Sequence, residues 1–395
     1  MNSRQRLLCA LQGGQPARLP ATTHHVMDSF RHRYLGDAST QDFFERFGLD
    51  GIRWVVAHRP DESKREFHDP LQGVPGFLEA SRVASDGWRV FAEPLPNHEW
   101  PTTRYRFVTP KGELSMVLQS NEHTSWVREH LIKNKPDIDL MGEYVTAPKC
   151  DVETVNRAAA EFGERGIVRG HICTFDVFGQ PGTWQEASCL VGIERLIMES
   201  YDDPAWVHAL LKILLERKLI YTRSLQGAAY DVIELGGGDA SSTVISPRLF
   251  EEFVAPYDAS IIAAAHEAGQ RIVYHTCGGM MPLLESIAAM QPDAMETFTP
   301  PPMGGDVDLA EAKRRIGDKV CMIGGFDQFH FFTGCTAEQT RNEVRRCFEA
   351  AGQGGGYILC PSDHFFDAEL ELMEAFAEEA RQCVYQQLLP RTINR

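Results

Sequence analysis

From about residue 166 onward, short apolar runs alternate with stretches in which apolar residues recur every three or four positions. That rhythm predicts βαβ units and a parallel sheet. The predicted strands are Gly166 to Thr174, Tyr230 to Leu235, Arg271 to Cys277, Asp293 to Phe298, Val320 to Phe326 and Tyr357 to Cys360. Ser246-Pro247 opens a helix through Gly269, Asp203-Pro204 starts another, and Thr336-Ala337-Glu338-Gln339 opens one ending near Gly352. Two more strands, Arg18 to His24 and Gly51 to Ala57, bring the set to eight. An α/β fold closed as a (β/α)8 TIM-type barrel follows, because closure removes the edges that an open eight-stranded sheet leaves exposed. A doubly wound sheet is the structural alternative.

Residues from about 59 to 150 break the rhythm. Trp88-Arg89-Val90-Phe91 and Thr102 to Val108 flank a proline-rich turn, followed by Thr109-Pro110-Lys111-Gly112. Alternation and turn residues predict a β-rich insertion after the second strand, either shaping a substrate mouth or serving as a structural flap. No repeat or linker forces a cut, so residues 1–395 are expected to form a single domain.

Composition narrows the function. A formal charge of -16 argues against a phosphate-backbone or anionic-membrane partner. Met1 to Leu8 lacks the apolar core of a secretory signal, and no apolar stretch nears about 20 residues, so a cytoplasmic location is expected. The 10 cysteines are irregularly spaced, which fits reduced thiols rather than a disulfide framework.

Candidate chemistry gathers at the predicted strand ends. These carry His24 and His25; His171, Cys173 and Asp176; Glu234 and Asp239; His275 and Cys277; Glu296; Asp327; and Cys360, Asp363 and His364. In a barrel all these tips face one cup. His275 and Cys277, two apart on a strand, point the same way and offer one nitrogen and one sulfur to a metal such as zinc. A buried Cys beside a hydrogen-bonded His is the bland alternative. The last strand offers Cys360, Asp363 and His364 within five residues, as third ligand, helix cap or substrate contact. Gly236-Gly237-Gly238-Asp239 and Gly278-Gly279 permit close backbone approach to a ligand, and neither matches a phosphate-binding fingerprint.

Ser3 to Gly13 followed by Pro16-Ala17-Arg18-Leu19-Pro20, the run Ile245 to Tyr257, and Gly354-Gly355-Gly356-Tyr357-Ile358-Leu359 closely resemble the uroporphyrinogen decarboxylase superfamily over nearly the whole chain. The resemblance implies a (β/α)8 barrel and one of two activities: cofactor-free porphyrinogen decarboxylation, or zinc-dependent methyl transfer in corrinoid-linked methyltransferases. The decarboxylases carry an R-Q-A-G-R-Y motif after the first strand. Here that stretch is Ala21-Thr22-Thr23-His24-His25-Val26-Met27-Asp28, without an arginine pair. The methyltransferases carry H-x-C on a late strand, which His275 and Cys277 match, and a cysteine just after the last strand, where this chain aligns Asp363 while its nearby thiol, Cys360, falls earlier.

The resulting expectation is a methyltransferase with one zinc per chain, held by His275, Cys277 and Cys360, with Asp363 the rival third ligand. It moves a methyl group between a corrinoid or methylated small molecule and a thiol. Glu234, Asp239 and Asp363 are assigned to catalysis, and His24, His171, Asp176, Glu296 and His364 to substrate. The corrinoid would sit on a separate protein, since D-x-H-x-x-G is absent here. A homodimer is the expected assembly if the chain self-associates. The alternative is a metal-independent decarboxylase or lyase using His24, Asp239 and Asp363 as acid/base groups; a non-catalytic binding protein is the third option.

Overall fold

The computed structural model describes residues 1–23, 25–69 and 82–385. Strands Gly51–Trp54, Gly166–His171, Val232–Gly236, Ile272–His275, Ala294–Thr297, Cys321–Phe326 and Tyr357–Pro361 lie side by side in that order, each parallel to the next. Spatial order therefore equals chain order, as consecutive βα units demand. They are buried on both faces, which is why they appear in the sequence as apolar runs.

An eighth stave closes the ring. The Thr22 N–H donates to the Leu359 carbonyl (2.9 Å) and the Leu359 N–H to the Pro20 carbonyl (2.9 Å), while on the other side the Asp50 N–H donates to the Ala21 carbonyl (2.8 Å). The strand expected over Arg18 to His24 is thus reduced to isolated bridges at Arg18 and Ala21. Pro20 explains the shortness, because it has no N–H to extend the ladder.

The helices follow their sequence signals with one informative exception. Asp203 caps Pro204–Arg223, and Thr336 and Gln339 form a reciprocal capping box on Ala337–Cys347. The helix expected from Ser246 to Gly269 is broken instead into Pro247–Leu249, a π-turn over Phe250–Val254, and Ala255–Glu267. Pro256 lacks the N–H that an α-helix would bond to Glu252, so the ladder slips by one residue there. Among the described residues, no helix is long and apolar enough to cross a membrane.

The insertion leaves the barrel through a narrow neck, in which His58 pairs with Cys150 and Arg59 with Lys149. Beyond it, Arg89–Leu95, Thr102–Thr109, Gly112–Ser120 and Ser125–Glu129 form a four-stranded antiparallel meander. Trp88 ties this sheet to the barrel by donating its indole N–H to Asp176 (2.8 Å).

Closure converges on Asp50, whose side chain is fully buried. Its Oδ1 accepts from Arg6 Nε (3.1 Å) and Nη2 (2.5 Å), and its Oδ2 accepts the Ala21 N–H (3.1 Å). Asp50→Ala strands the Arg6 guanidinium and frees the first stave at once. A loss of about 3 kcal/mol is expected in urea unfolding, whereas Arg4→Ala, whose side chain is 41% exposed, should change stability by less than about 1 kcal/mol.

Candidate active site

The C-terminal ends of the barrel strands open into a cavity of about 770 Å3. The insertion forms one wall through the turn from Ser120 to Ser125, and the loop from Thr174 to Pro181 forms another. The floor carries His171, Glu234, His275 and Cys277, with Asp239, Asp363 and His364 above them at the same mouth.

At the floor, strand register places His275 beside Glu296 and His171 beside Glu234. Arg169, from the middle of its strand, reaches both carboxylates: Nη1 to Glu296 Oε2 (2.8 Å), Nη2 to Glu296 Oε1 (2.5 Å) and Nη2 to Glu234 Oε2 (2.6 Å). Its guanidinium carbon sits 4.5 Å from the Trp54 ring centroid, and His25 stacks on the same indole at 4.7 Å. Burial disfavours charge on Glu296, but the Arg169 charge and the hydrogen bonds from His275 and Arg169 outweigh it and hold the carboxyl well below its usual range. His275 Nδ1 lies 2.9 Å from Glu296 Oε1. Burial opposes an imidazolium there too, yet hydrogen bonds to Cys277 and Glu296 and the Glu234 and Glu296 charges raise the His275 pKa well above the ordinary value.

His275 and Cys277, paired by their sequence spacing, both line the cavity. Glycine at 238 permits this: a Cβ there would lie 2.7 Å from the Cys277 sulfur. Thr297, directly after Glu296, holds a left-handed φ of 87° that a β-branched residue rarely adopts, with its hydroxyl donating to the Thr276 carbonyl (2.6 Å).

The other expected site residues divide into three groups. Asp239, Asp363, His171 and His364 line the cavity. The Asp239 carboxylate accepts from the Ser188 hydroxyl, and Asp363 Oδ1 accepts the His364 N–H (2.7 Å). His171 donates Nδ1–H to the Ile172 carbonyl (2.8 Å), which leaves Nε2 as an acceptor. Asp176 also reaches the wall, but its two oxygens are engaged by Arg217 (2.7 Å) and Trp88 (2.8 Å). Cys173, Cys360 and Asp327 lie deeper: Cys173 is fully buried, Cys360 is 1% exposed, and Asp327 caps the Gln328–Phe331 turn through the His330 N–H. His24 falls outside the described residues. Arg169 was absent from the expected set, although two glutamates inside apolar strands are a signal that a buried cation must answer them.

Among the described residues, Glu234, His275 and Glu296 form a group whose ligand atoms lie within 4.8 Å of one another. The hydrogen bonding distinguishes their roles. Glu296 is saturated by Arg169 and the Nδ1 side of His275, an arrangement that orients an imidazole for metal binding. Within this group Glu234 and His275 are the members placed to ligate a divalent ion, and Cys277 and Asp363 line the same cavity. Imidazole, carboxylate and thiol are all donor types that zinc accepts.

Fold and site together define a (β/α)8 barrel with a polar, metal-competent cup. The profile of the uroporphyrinogen decarboxylase (URO-D) family matches residues 177–383, and the chain belongs to that family. Uroporphyrinogen decarboxylases of Aliivibrio salmonicida and Vibrio cholerae are each 27% identical to it, over 244 and 248 residues, covering 58% and 59% of this chain and 63% and 64% of theirs. The alignments thus span less than two thirds of these curated relatives. A methyltransferase from Methanosarcina mazei superposes with a TM-score of 0.62 at 15% identity, covering 97% of this chain and 99% of the other, a likeness of fold.

His58, at the insertion neck, also lines the cavity, and its buried Nε2 has no hydrogen-bond partner. Burial, with the charges of His171 and Arg217, pushes its pKa down to about 3. A lowered folded-state pKa means that the unfolded chain binds the proton more readily, so stability falls as pH drops from the free value of about 6.5 toward 3. His58→Phe removes this liability. Its acid-unfolding midpoint, followed by circular dichroism, should fall by about half a pH unit relative to wild type.

Proposed function

We propose that this chain is a zinc-dependent methyltransferase that moves a methyl group between a corrinoid, or a methylated small molecule, and a thiol acceptor. The observation that carries this reading is that His275 and Cys277, two apart in the sequence, both line the cavity, with the Nδ1 side of His275 held by Glu296. When bound, zinc supplies a Lewis acid that keeps a substrate thiol as thiolate near neutral pH. The chain's own residues do the rest. Arg169 holds Glu296 in place, and Glu296 keeps His275 in one tautomer and orientation. Glu234 or Asp363 supplies an oxygen ligand, and an oxygen there makes the site harder than an all-thiolate one. His171 Nε2 accepts a proton or a hydrogen bond from the acceptor as it enters. The walls built by the insertion and the Thr174 to Pro181 loop limit water around the reacting sulfur. A corrinoid would be brought by a partner protein.

The curated relatives are decarboxylases by name, so a metal-independent lyase with Asp239 and Asp363 as acid/base groups is the second reading. It is supported by the presence of both carboxylates at the cavity. It is weakened by the stretch from Ala21 to Asp28, which lacks the arginine pair that would grip propionates.

Elemental analysis of freshly purified protein separates the two. The methyltransferase reading expects about one zinc per chain, falling at least about tenfold in Cys277→Ala with circular dichroism unchanged. It also expects thiol-dependent demethylation of methylcobalamin across a panel of small thiols. Protein that is metal-free, takes up no zinc and keeps its fold supports the lyase instead.

A further inference from the structure

A second cleft, of about 310 Å3, adjoins the large cavity and shares four residues with it: Gly238, Asp239, Cys277 and Asp363. Cys277 therefore lines both spaces. Because residue 238 has no side chain, the Cys277 sulfur has room beside its backbone, where a Cβ would lie 2.7 Å away. The two chambers differ in chemistry. His171, Glu234 and His275 face only the large one, among the described lining residues. The small one is lined by Asp239, Asp363, Val244, Met303 and Phe329 among others, with no Lys, Arg or His among the described residues that line it. Phe329 is 53% exposed and Val244 38% exposed, so this apolar rim has little covering it.

We infer that the small cleft binds a methylated onium group, a quaternary ammonium or a sulfonium, as the methyl donor. Such a cation spreads its charge over methyl hydrogens and offers no N–H donor. It is recognised by an aromatic face and nearby carboxylates rather than by directed hydrogen bonds. An anion would meet two carboxylates at close range and be repelled. The reaction also balances without an added proton. The thiolate sulfur, held on the large-cavity side, attacks the methyl carbon; the S–C bond forms as the bond from that carbon to the onium nitrogen or sulfur breaks. Its electron pair leaves with the amine or sulfide, which departs neutral. Displacement needs nucleophile and leaving group on opposite sides of the carbon, so the proposal puts the thiolate in the large cavity and the onium in the adjoining cleft. The transfer step rests on the methyltransferase reading, whereas the binding site does not.

Binding is therefore tested without turnover. Full-length protein stripped with a chelator is titrated with tetramethylammonium chloride, with neopentyl alcohol as the neutral isostere, followed by saturation-transfer NMR. Tetramethylammonium should bind saturably and about tenfold more tightly than the alcohol. Asp239→Asn and Asp363→Asn should each weaken it about fivefold, and Phe329→Ala about threefold. Val244→Trp, which fills the cleft, should abolish binding, and Thr174→Trp, in the large cavity, should leave it intact. The proposal is overturned by absence of saturable binding, by equal binding of the alcohol, or by loss in Thr174→Trp with retention in Val244→Trp. If the onium binds as expected while neither methylcobalamin nor a methylated onium methylates any thiol on zinc-loaded protein, the site stands and only the methyltransferase reading falls.

Discussion

The candidate site depends on one buried cation. Glu234 and Glu296 sit on neighbouring regions of the barrel floor, and two carboxylates in a low-dielectric interior cannot both stay ionised without a counter-charge. Arg169 supplies it, with a guanidinium whose planar fork meets Glu296 through two nitrogens and Glu234 through a shared one. Because Glu296 is thereby kept anionic, it accepts from His275 and fixes which ring nitrogen faces the cavity. A neutral Glu296 would leave His275 free to turn. The orientation of the His275 imidazole thus traces back through a carboxylate to Arg169.

The wall formed by the Thr174 to Pro181 loop, which packs against the insertion, is fixed by a similar device on a single helix. Arg217 and Lys218 are consecutive on Pro204–Arg223 and both are buried. Arg217 donates to the carbonyls of Thr146 (2.6 Å) and Thr174 (2.6 Å) and to Asp176 (2.7 Å), which joins the insertion's return strand to the cavity loop. Lys218 donates to the carbonyls of Cys173 (2.8 Å) and Gln180 (3.0 Å), and its ammonium lies 2.9 Å from Glu186. Backbone carbonyls on a loop of this length would otherwise need water. Buried cations replace it, so the loop keeps its shape where the cavity needs a rigid wall.

How much of this was legible in the sequence depends on whether a feature is local. Parallel strands buried on both faces show as apolar runs, so six strands and the helix caps at Asp203 and Thr336 could be placed from pattern alone. The first stave was harder, because Pro20 removes the N–H that would make it a regular strand, and Pro256 likewise split a helix whose apolar periodicity looked continuous. His275 and Cys277 were visible because a spacing of two on a strand fixes their common direction. Arg169 was not visible. It stands in an apolar run where a lone arginine looks like a misplaced surface residue, and its two partners lie 65 and 127 positions away. Their convergence is set by strand register, which one sequence without relatives does not state. Cys360 and Asp363 show the same limit, since their separation along the chain does not say which turns into the cup; the fold puts Asp363 at the cavity and Cys360 in the strand.

That placement bears on the chemistry. On the proposed reading, with Asp363 and Cys277 as donors, the oxygen-to-sulfur ratio of the donor set would be higher than in a His-Cys-Cys arrangement. Oxygen donors neutralise less of a divalent ion's charge than thiolates do, so an ion held there would be a stronger Lewis acid toward an incoming thiolate. A tightly held sulfur is a weaker nucleophile, and an acceptor of that kind needs a more reactive methyl carbon. Onium carbon, bonded to a leaving group that departs neutral, is one such centre. On the proposed reading, a harder donor set and a second cleft with two carboxylates and no Lys, Arg or His among the described residues that line it belong to one reaction.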